Sequence, residues 1–326
     1  MDGNILEFTF VAFSLLCLIG FLLNVVMLIS IFSNTTLSKS VYAFNINLAF
    51  ADLLSCTTGL ALLAMRMSTS FTLVSNTFVC QWFGYLIAFS NALSVYSLLA
   101  MTIAHFFTFW FATSMMNSER RVLLLFPCWF LALALPVIPK VFFYSSSKIP
   151  LFVTQPSNLY CIFNFVSDLS DHSAFYLGIP ICLILTPYVI GVIYFLIWYK
   201  MVGSNLPEFV KLMWNGEFNM PVVQSVTKIN ILLIRRSLSL IVSFALVWFI
   251  PAYFMIYQIV TKKEVTWEED TIVAMLLMAK NTVNPIVFFN MDKNCKQALI
   301  RLFGDRIPSR NEEIPKLQTP KSFNSQ

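Results

Sequence analysis

Long apolar runs broken by short polar segments set the pattern of this chain. Seven runs can be drawn: Phe8–Phe32, Val41–Met65, Phe78–Phe111, Val122–Tyr144, Ser173–Tyr199, Ile231–Val260 and Thr271–Asn290. Each is long enough, as a helix rising 1.5 Å per residue, to cross a hydrocarbon core of about 30 Å. None alternates with the period of two that an outer-membrane barrel strand requires. The pattern predicts an all-α membrane protein, a seven-transmembrane helix bundle. After the last run, Cys295 to Phe303 puts apolar and basic residues on opposite faces of one helix, which predicts a short amphipathic helix on the membrane surface. The expected organisation is a short N-terminal segment (1–7), a seven-helix domain (8–290), an amphipathic cytoplasmic helix (291–304) and a polar, disordered tail (305–326). The first run is no cleavable signal peptide, because Asp2 and Glu7 flank it and its apolar stretch is too long.

The polar residues inside the runs carry the chemistry. Asn47 to Leu54 places one carboxylate, Asp52, within an apolar run. An ionisable group at that depth needs a partner and marks a functional site by default. The first run holds Gly20 and Asn24 one turn apart, and the third holds Ser90, Asn91 and Ser94, so those faces turn toward other helices. Prolines at 180, 187, 251 and 285 each free a backbone carbonyl and bend their helix. The seventh run carries Lys280, Asn281 and Asn284 ahead of Pro285.

Composition agrees with the pattern. The chain is 58% hydrophobic and 11% charged, against roughly a quarter charged in soluble domains. With the N-terminus outside, the inner segments hold fifteen Lys and Arg and the outer ones five, with Lys280 inside a run. That bias sets the N-terminus outside and the tail in the cytoplasm. The formal charge of +5 then reflects topology and anionic lipid rather than nucleic acid. Of seven cysteines only Cys80 and Cys161 fall on the oxidising side, which predicts one disulfide. Cys295, beyond the last run, is a candidate for palmitoylation. No nucleophile–base pair or metal-ligand cluster stands out, so no enzyme, cofactor or metal is expected.

Asn24, Leu48-Ala49-x-Ala51-Asp52, the Cys80/Cys161 pair, Trp129, Pro187, Phe244 with Trp248, and Asn284-Pro285 follow one another in an order and spacing that resembles the rhodopsin-like (class A) G-protein-coupled receptors. The resemblance spans about Gly20 to Phe303. It implies an outward-facing cavity between helices three, five, six and seven, lined here by Ile87, Asn91, Trp248, Tyr253, Tyr257 and Ala274. It also implies that an extracellular ligand favours an outward swing of the sixth helix, opening a crevice for a heterotrimeric G protein. Transmission would run through His105, Phe195, Phe244, Trp248, Pro251, Pro285 and Phe288. In the class, Asp52's position commonly holds sodium together with positions matched here by Ser94, Asn281 and Asn284; Lys280 replaces a neutral Asn, and its ammonium is expected to take the ion's place beside Asp52.

The chain departs from the class at its transmitting end. Ala104-His105-Phe106 stands where most members carry Asp/Glu-Arg-Tyr, and Phe195 and Phe288 replace two tyrosines, with Tyr194 one place early. Pro251 follows Trp248 by three residues instead of two. His105 is either an interfacial polar cap or a partial replacement for the arginine. These losses leave open a non-signalling decoy or co-receptor. Ile87 stands where amine receptors have Asp, and Met278 where opsins have Lys, which argues against both ligand types. An odorant-like small molecule fits the apolar cavity. A basic peptide would fit the acidic third outer loop (Glu264, Glu268, Glu269, Asp270). The short N-terminus and loose arginine motif are similar to nematode chemosensory receptors, with neuropeptide receptors close behind.

Overall fold

The protein is described here from a computed structural model, which covers residues 3–33, 42–68, 77–110, 122–142, 151–164, 185–186, 188–197, 199, 247–291 and 293–303. Phe244, Pro187, the segment joining the fifth and sixth runs, and the tail lie outside the described residues. The helices are α1 (Gly3–Ser33), α2 (Ala43–Ser68), α3 (Thr77–Trp110), α4 (Leu125–Phe142), α5 (Tyr188–Ile197), α6 (Val247–Thr261), α7 (Trp267–Met291) and α8 (Lys293–Phe303). Among the described residues α1, α2, α3 and α7 are long and apolar enough to cross a membrane. The described parts of α4, α5 and α6 are shorter apolar helices.

Helices α1 and α4 turn large apolar side chains outward, and the bundle turns polar ones inward. Phe8, Leu15 and Leu22 of α1 and Phe126, Phe130 and Leu133 of α4 are exposed, at the helical spacing of a lipid-facing stripe. Asn24, Asp52, Ser94, Lys280 and Asn281 are buried. In hydrocarbon, polar groups are stable only against one another, so they converge on the bundle axis. Helix α1 packs on α2 and α7, and α3 packs on α2 and α4. Small residues allow the closest approaches: a Cβ on Gly20 would lie 2.9 Å from the Cys56 sulfur, and one on Gly59 2.9 Å from that of Cys17.

A two-stranded antiparallel hairpin, β1 (Phe152–Thr154) and β2 (Cys161–Phe163), lies against α3. Phe152 pairs with Phe163 and Thr154 with Cys161. Its turn uses Asn158 at φ 59°, a left-handed conformation that Asn tolerates better than most residues. The Cys80–Cys161 disulfide, predicted above, ties β2 to α3. At the next residue, the Gln81 amide donates to the Phe152 carbonyl at 2.7 Å and accepts from the Phe152 N–H at 3.4 Å. A Cβ on Gly84 would run into the Phe152 ring, so glycine there lets the hairpin seat on the helix.

Local signals set α7. Its start is a capping box: the Thr266 hydroxyl accepts from the Glu269 N–H at 3.3 Å, and the Glu269 carboxylate accepts from the Thr266 N–H at 2.8 Å. Inside it, Pro285 offers no N–H to the carbonyl of Asn281. Asn24 of α1 fills that gap, its Nδ2 donating to Asn281 O at 2.8 Å and to Gly20 O at 2.8 Å. At the same end of the bundle, α8 packs on α1 and α7. Cys295 is fully buried there with Met27, Ile31, Tyr42, Ala49, Phe288 and Ala298. That burial argues against its palmitoylation, since the thiol is packed inside the protein and not offered to the surface.

Candidate functional site

Toward the disulfide end lies a cavity of about 630 Å³, counting its mouth. Its lining includes Ile87, Asn91, Ala92 and Tyr96 of α3, Trp248 and Met255 of α6, Leu277 of α7, and Ile162 and Phe163 of the hairpin. The hairpin thus roofs a space between helices. Of the six residues expected to line it, Ile87, Asn91 and Trp248 do so. Tyr253, Tyr257 and Ala274 do not. The reason is helical phase: at about 100° per residue Tyr253 and Tyr257 lie roughly 140° and 180° around α6 from Trp248, whereas Met255 returns to within about 20°. Tyr253 is accordingly 57% exposed on the outer flank. Ala274 is buried one turn from Leu277, outside the lining. Met255 is legible from that phase; Ile162 and Phe163 are not, because nothing local says a loop folds back over the helices.

Trp248 also borders a second, smaller space of about 250 Å³, with Ser94, Leu98, Val247, Lys280, Val283 and Asn284. Here Asp52 is fully buried and receives three donors. Lys280 Nζ lies 3.0 Å and Ser94 Oγ 3.1 Å from its Oδ1, and Asn284 Nδ2 lies 2.7 Å from its Oδ2. Asn281 turns away from the carboxylate, donating to Ser55 Oγ at 3.2 Å. An ammonium with a side chain 5% exposed therefore sits against the carboxylate. Such a pair resists separation, because either charge alone would be stranded in a dry interior.

Two further networks brace α3. Trp129 Nε1 donates to Asn47 Oδ1 at 2.8 Å, and Asn47 Nδ2 donates to Ser97 Oγ at 2.6 Å, stitching α4, α2 and α3. Farther from the disulfide, His105 Nδ1 lies 2.9 Å from the Tyr194 hydroxyl. The expected transmission residue of α5, Phe195, is instead 59% exposed, one residue around the helix. Tyr194, one place earlier, turns its hydroxyl to His105 instead. Phe288 stacks edge-on against Tyr42, ring centroids 6.0 Å apart, within the cluster that holds α8. Pro251 and Pro285 are buried in α6 and α7.

The acidic loop is less acidic than its sequence. Asp270, 1% exposed, accepts from the Ser157 N–H at 2.8 Å and the Tyr160 hydroxyl at 2.6 Å. It holds the hairpin turn to the head of α7. Burial, and then the adjacent carboxylate, push the Tyr160 phenol well above its usual range, so it stays a donor. Glu269 is engaged in the capping box. Only Glu264 and Glu268 remain free of these bonds, beside Lys262 and Lys263.

A bundle of membrane-length helices with a polar axis, a cystine-anchored hairpin over a cavity and a buried ion pair beneath it defines a seven-helix membrane receptor. The family model described as "7 transmembrane receptor (rhodopsin family)" matches residues 23–288. The chain belongs to that family; it is a multi-pass membrane receptor and not an enzyme. Squid rhodopsin is similar in fold, with a TM-score of 0.72 at 16% identity over 93% of this chain and 86% of that one. No curated protein sequence matches.

Proposed function

We propose that the chain is a ligand-activated receptor in which a small molecule beneath the hairpin biases α6 through Trp248 and so signals to a heterotrimeric G protein. The observation that carries this reading is that Trp248 borders both spaces, the apolar cavity on one side and the Asp52–Lys280 site on the other. A ligand against it can favour one packing of α6 over another, by no more than its difference in affinity for the two. A small molecule is favoured over a basic peptide because the hairpin roofs the cavity and two of the four loop acids are engaged. On this reading the receptor is chemosensory in type, lies in the plasma membrane and has its N-terminus outside. The test is surface expression in a host cell with cAMP and calcium readouts, beside direct binding. A ligand that binds yet moves neither messenger through any G-protein class would sink the proposal.

A second reading has its own support. Among the described residues, α3 carries His105 and no arginine at its far end, so a non-signalling decoy or co-receptor is the alternative. In that case His105→Arg with Phe288→Tyr should create signalling that the parent lacks.

A further inference from the structure

The cavity under the hairpin wraps around α3. At about 100° per residue, its lining residues Ala88, Ala92 and Tyr96 stand roughly 100°, 140° and 180° around that helix from Ile87, which also lines it. The lining thus follows about half the circumference of α3, a path of roughly 16–19 Å on a helix about 10–12 Å across. The two ends of the arc are placed by separate contacts. Ser94, within about 20° of Ile87, bonds Asp52 and borders the Lys280 space, so that end faces the bundle axis. At the other end the Tyr96 carbonyl accepts from the Cys128 thiol of α4 at 3.4 Å. The facing walls agree: Trp248 and Met255 come from α6, Leu277 from α7 and Leu135 from α4. Leu135 carries the space to a helix beyond the four that the resemblance implies.

Two small residues keep this path open. Ala88 and Ala92 lie one turn apart in the middle of the arc, where a larger side chain would divide the space in two. A compact molecule would fill one arm and leave the other empty; an extended one touches both. The surface along the path is apolar or aromatic almost throughout, and no Asp, Glu, Lys, Arg or His is among its described lining residues. Asp52, across Trp248, is already engaged by Lys280, Ser94 and Asn284. A charged ligand would therefore lose its hydration and gain no counter-ion.

We infer that the cavity takes an elongated, uncharged, apolar small molecule lying around α3, and that Ala88 and Ala92 set the length it accepts. This rests on the reading of the cavity as the ligand site. Purified full-length protein in lipid nanodiscs is titrated with hexyl, decyl and tetradecyl acetate and with decanoate. The readout is the concentration that half-saturates the thermal shift. Each probe is compared between variant and parent, so its partition into the bilayer cancels. Ala92→Leu divides the path, and each methylene kept out of apolar contact weakens binding about fourfold. Decyl acetate should then need about tenfold more or beyond, and hexyl acetate less than about twofold more. Leu135→Ala lengthens the α4 arm and should make tetradecyl acetate act at about fourfold lower concentration, a gain that misfolding cannot produce. Equal losses of hexyl and decyl acetate on a folded Ala92→Leu overturn the inference; so does decanoate acting below decyl acetate, or silence from every probe. If Ala92→Leu shows no cooperative melt, Leu135→Ala decides alone, and no gain there overturns the inference. Ile162→Trp, which fills the cavity under the hairpin, separates the two failures. If it abolishes the action of probes that do not sort by length or charge, the site stands and only the ligand class is wrong. If no probe's action responds to it, the cavity is not the ligand site.

Discussion

A single carboxylate shows how far residue-level reasoning carries in this chain. Asp52 stands out because its run is otherwise apolar, and its partner has to be a donor on a facing helix; Lys280, five residues before Pro285, lies in the middle of its run, whereas Lys140, Arg235 and Arg236 lie near the ends of theirs. The two lie 3.0 Å apart. We predict that Asp52→Asn and Lys280→Met each destabilise the protein by about 3–5 kcal/mol, while the double variant recovers most of the loss, because each single change strands a buried charge. Chemical or thermal unfolding of the three purified variants checks this; two harmless single changes would refute it. Since the ammonium holds the place a cation would occupy, replacing choline by sodium in the buffer should leave the melting temperature unchanged. Helical phase sets where other expected residues lie: the roughly 100° step of the helix turns Tyr253 and Tyr257 off the cavity that Trp248 lines. On α5 it is Tyr194, one position before Phe195, that reaches His105.

At the scale of elements, the helices were legible and the hairpin was not. Apolar runs the length of a bilayer admit little besides helices, and Thr266-x-x-Glu269 is a capping-box spacing that announces the start of α7. The hairpin depends on contacts distant in sequence: Gln81 and Gly84 with Phe152, and Asp270 with Ser157 and Tyr160. Nothing in the acidic stretch around Asp270 distinguishes a solvated charge from a buried clamp. Asp270→Ala leaves the Ser157 N–H and the Tyr160 hydroxyl buried without an acceptor. It should cost about 2–3 kcal/mol, and Tyr160→Phe about 1 kcal/mol. Amide hydrogen exchange across residues 151–163 reads this directly. Faster exchange in both variants, with α1 and α2 unchanged, is expected; unchanged protection of the hairpin would show that the disulfide and Gln81 hold it alone.

At the scale of the molecule, two independent physical constraints bear on the proposed orientation. One is the distribution of Lys and Arg, fifteen against five across the two sides, which retains basic loops in the cytoplasm. The other is the Cys80–Cys161 bond, which persists only in an oxidising compartment. On the proposed orientation, both put the hairpin and its cavity outside and α8 inside, though one concerns insertion and the other redox chemistry. The cavity is then open to extracellular ligand, while the His105–Tyr194 contact and the cluster of Phe288 with Cys295 lie on the side where a G protein would dock. An epitope at the N-terminus should therefore stain intact cells, and one at the C-terminus only permeabilised cells. Replacing Lys39, Arg120 and Arg121 by Gln weakens the first constraint and leaves the second, so a fraction of molecules should invert. Those inverted molecules should carry Cys80 and Cys161 as free thiols, detectable by a shift on thiol-reactive labelling without prior reduction. Inversion with the disulfide intact would show that the bond does not report the compartment, and no inversion at all would show that these charges do not orient the bundle.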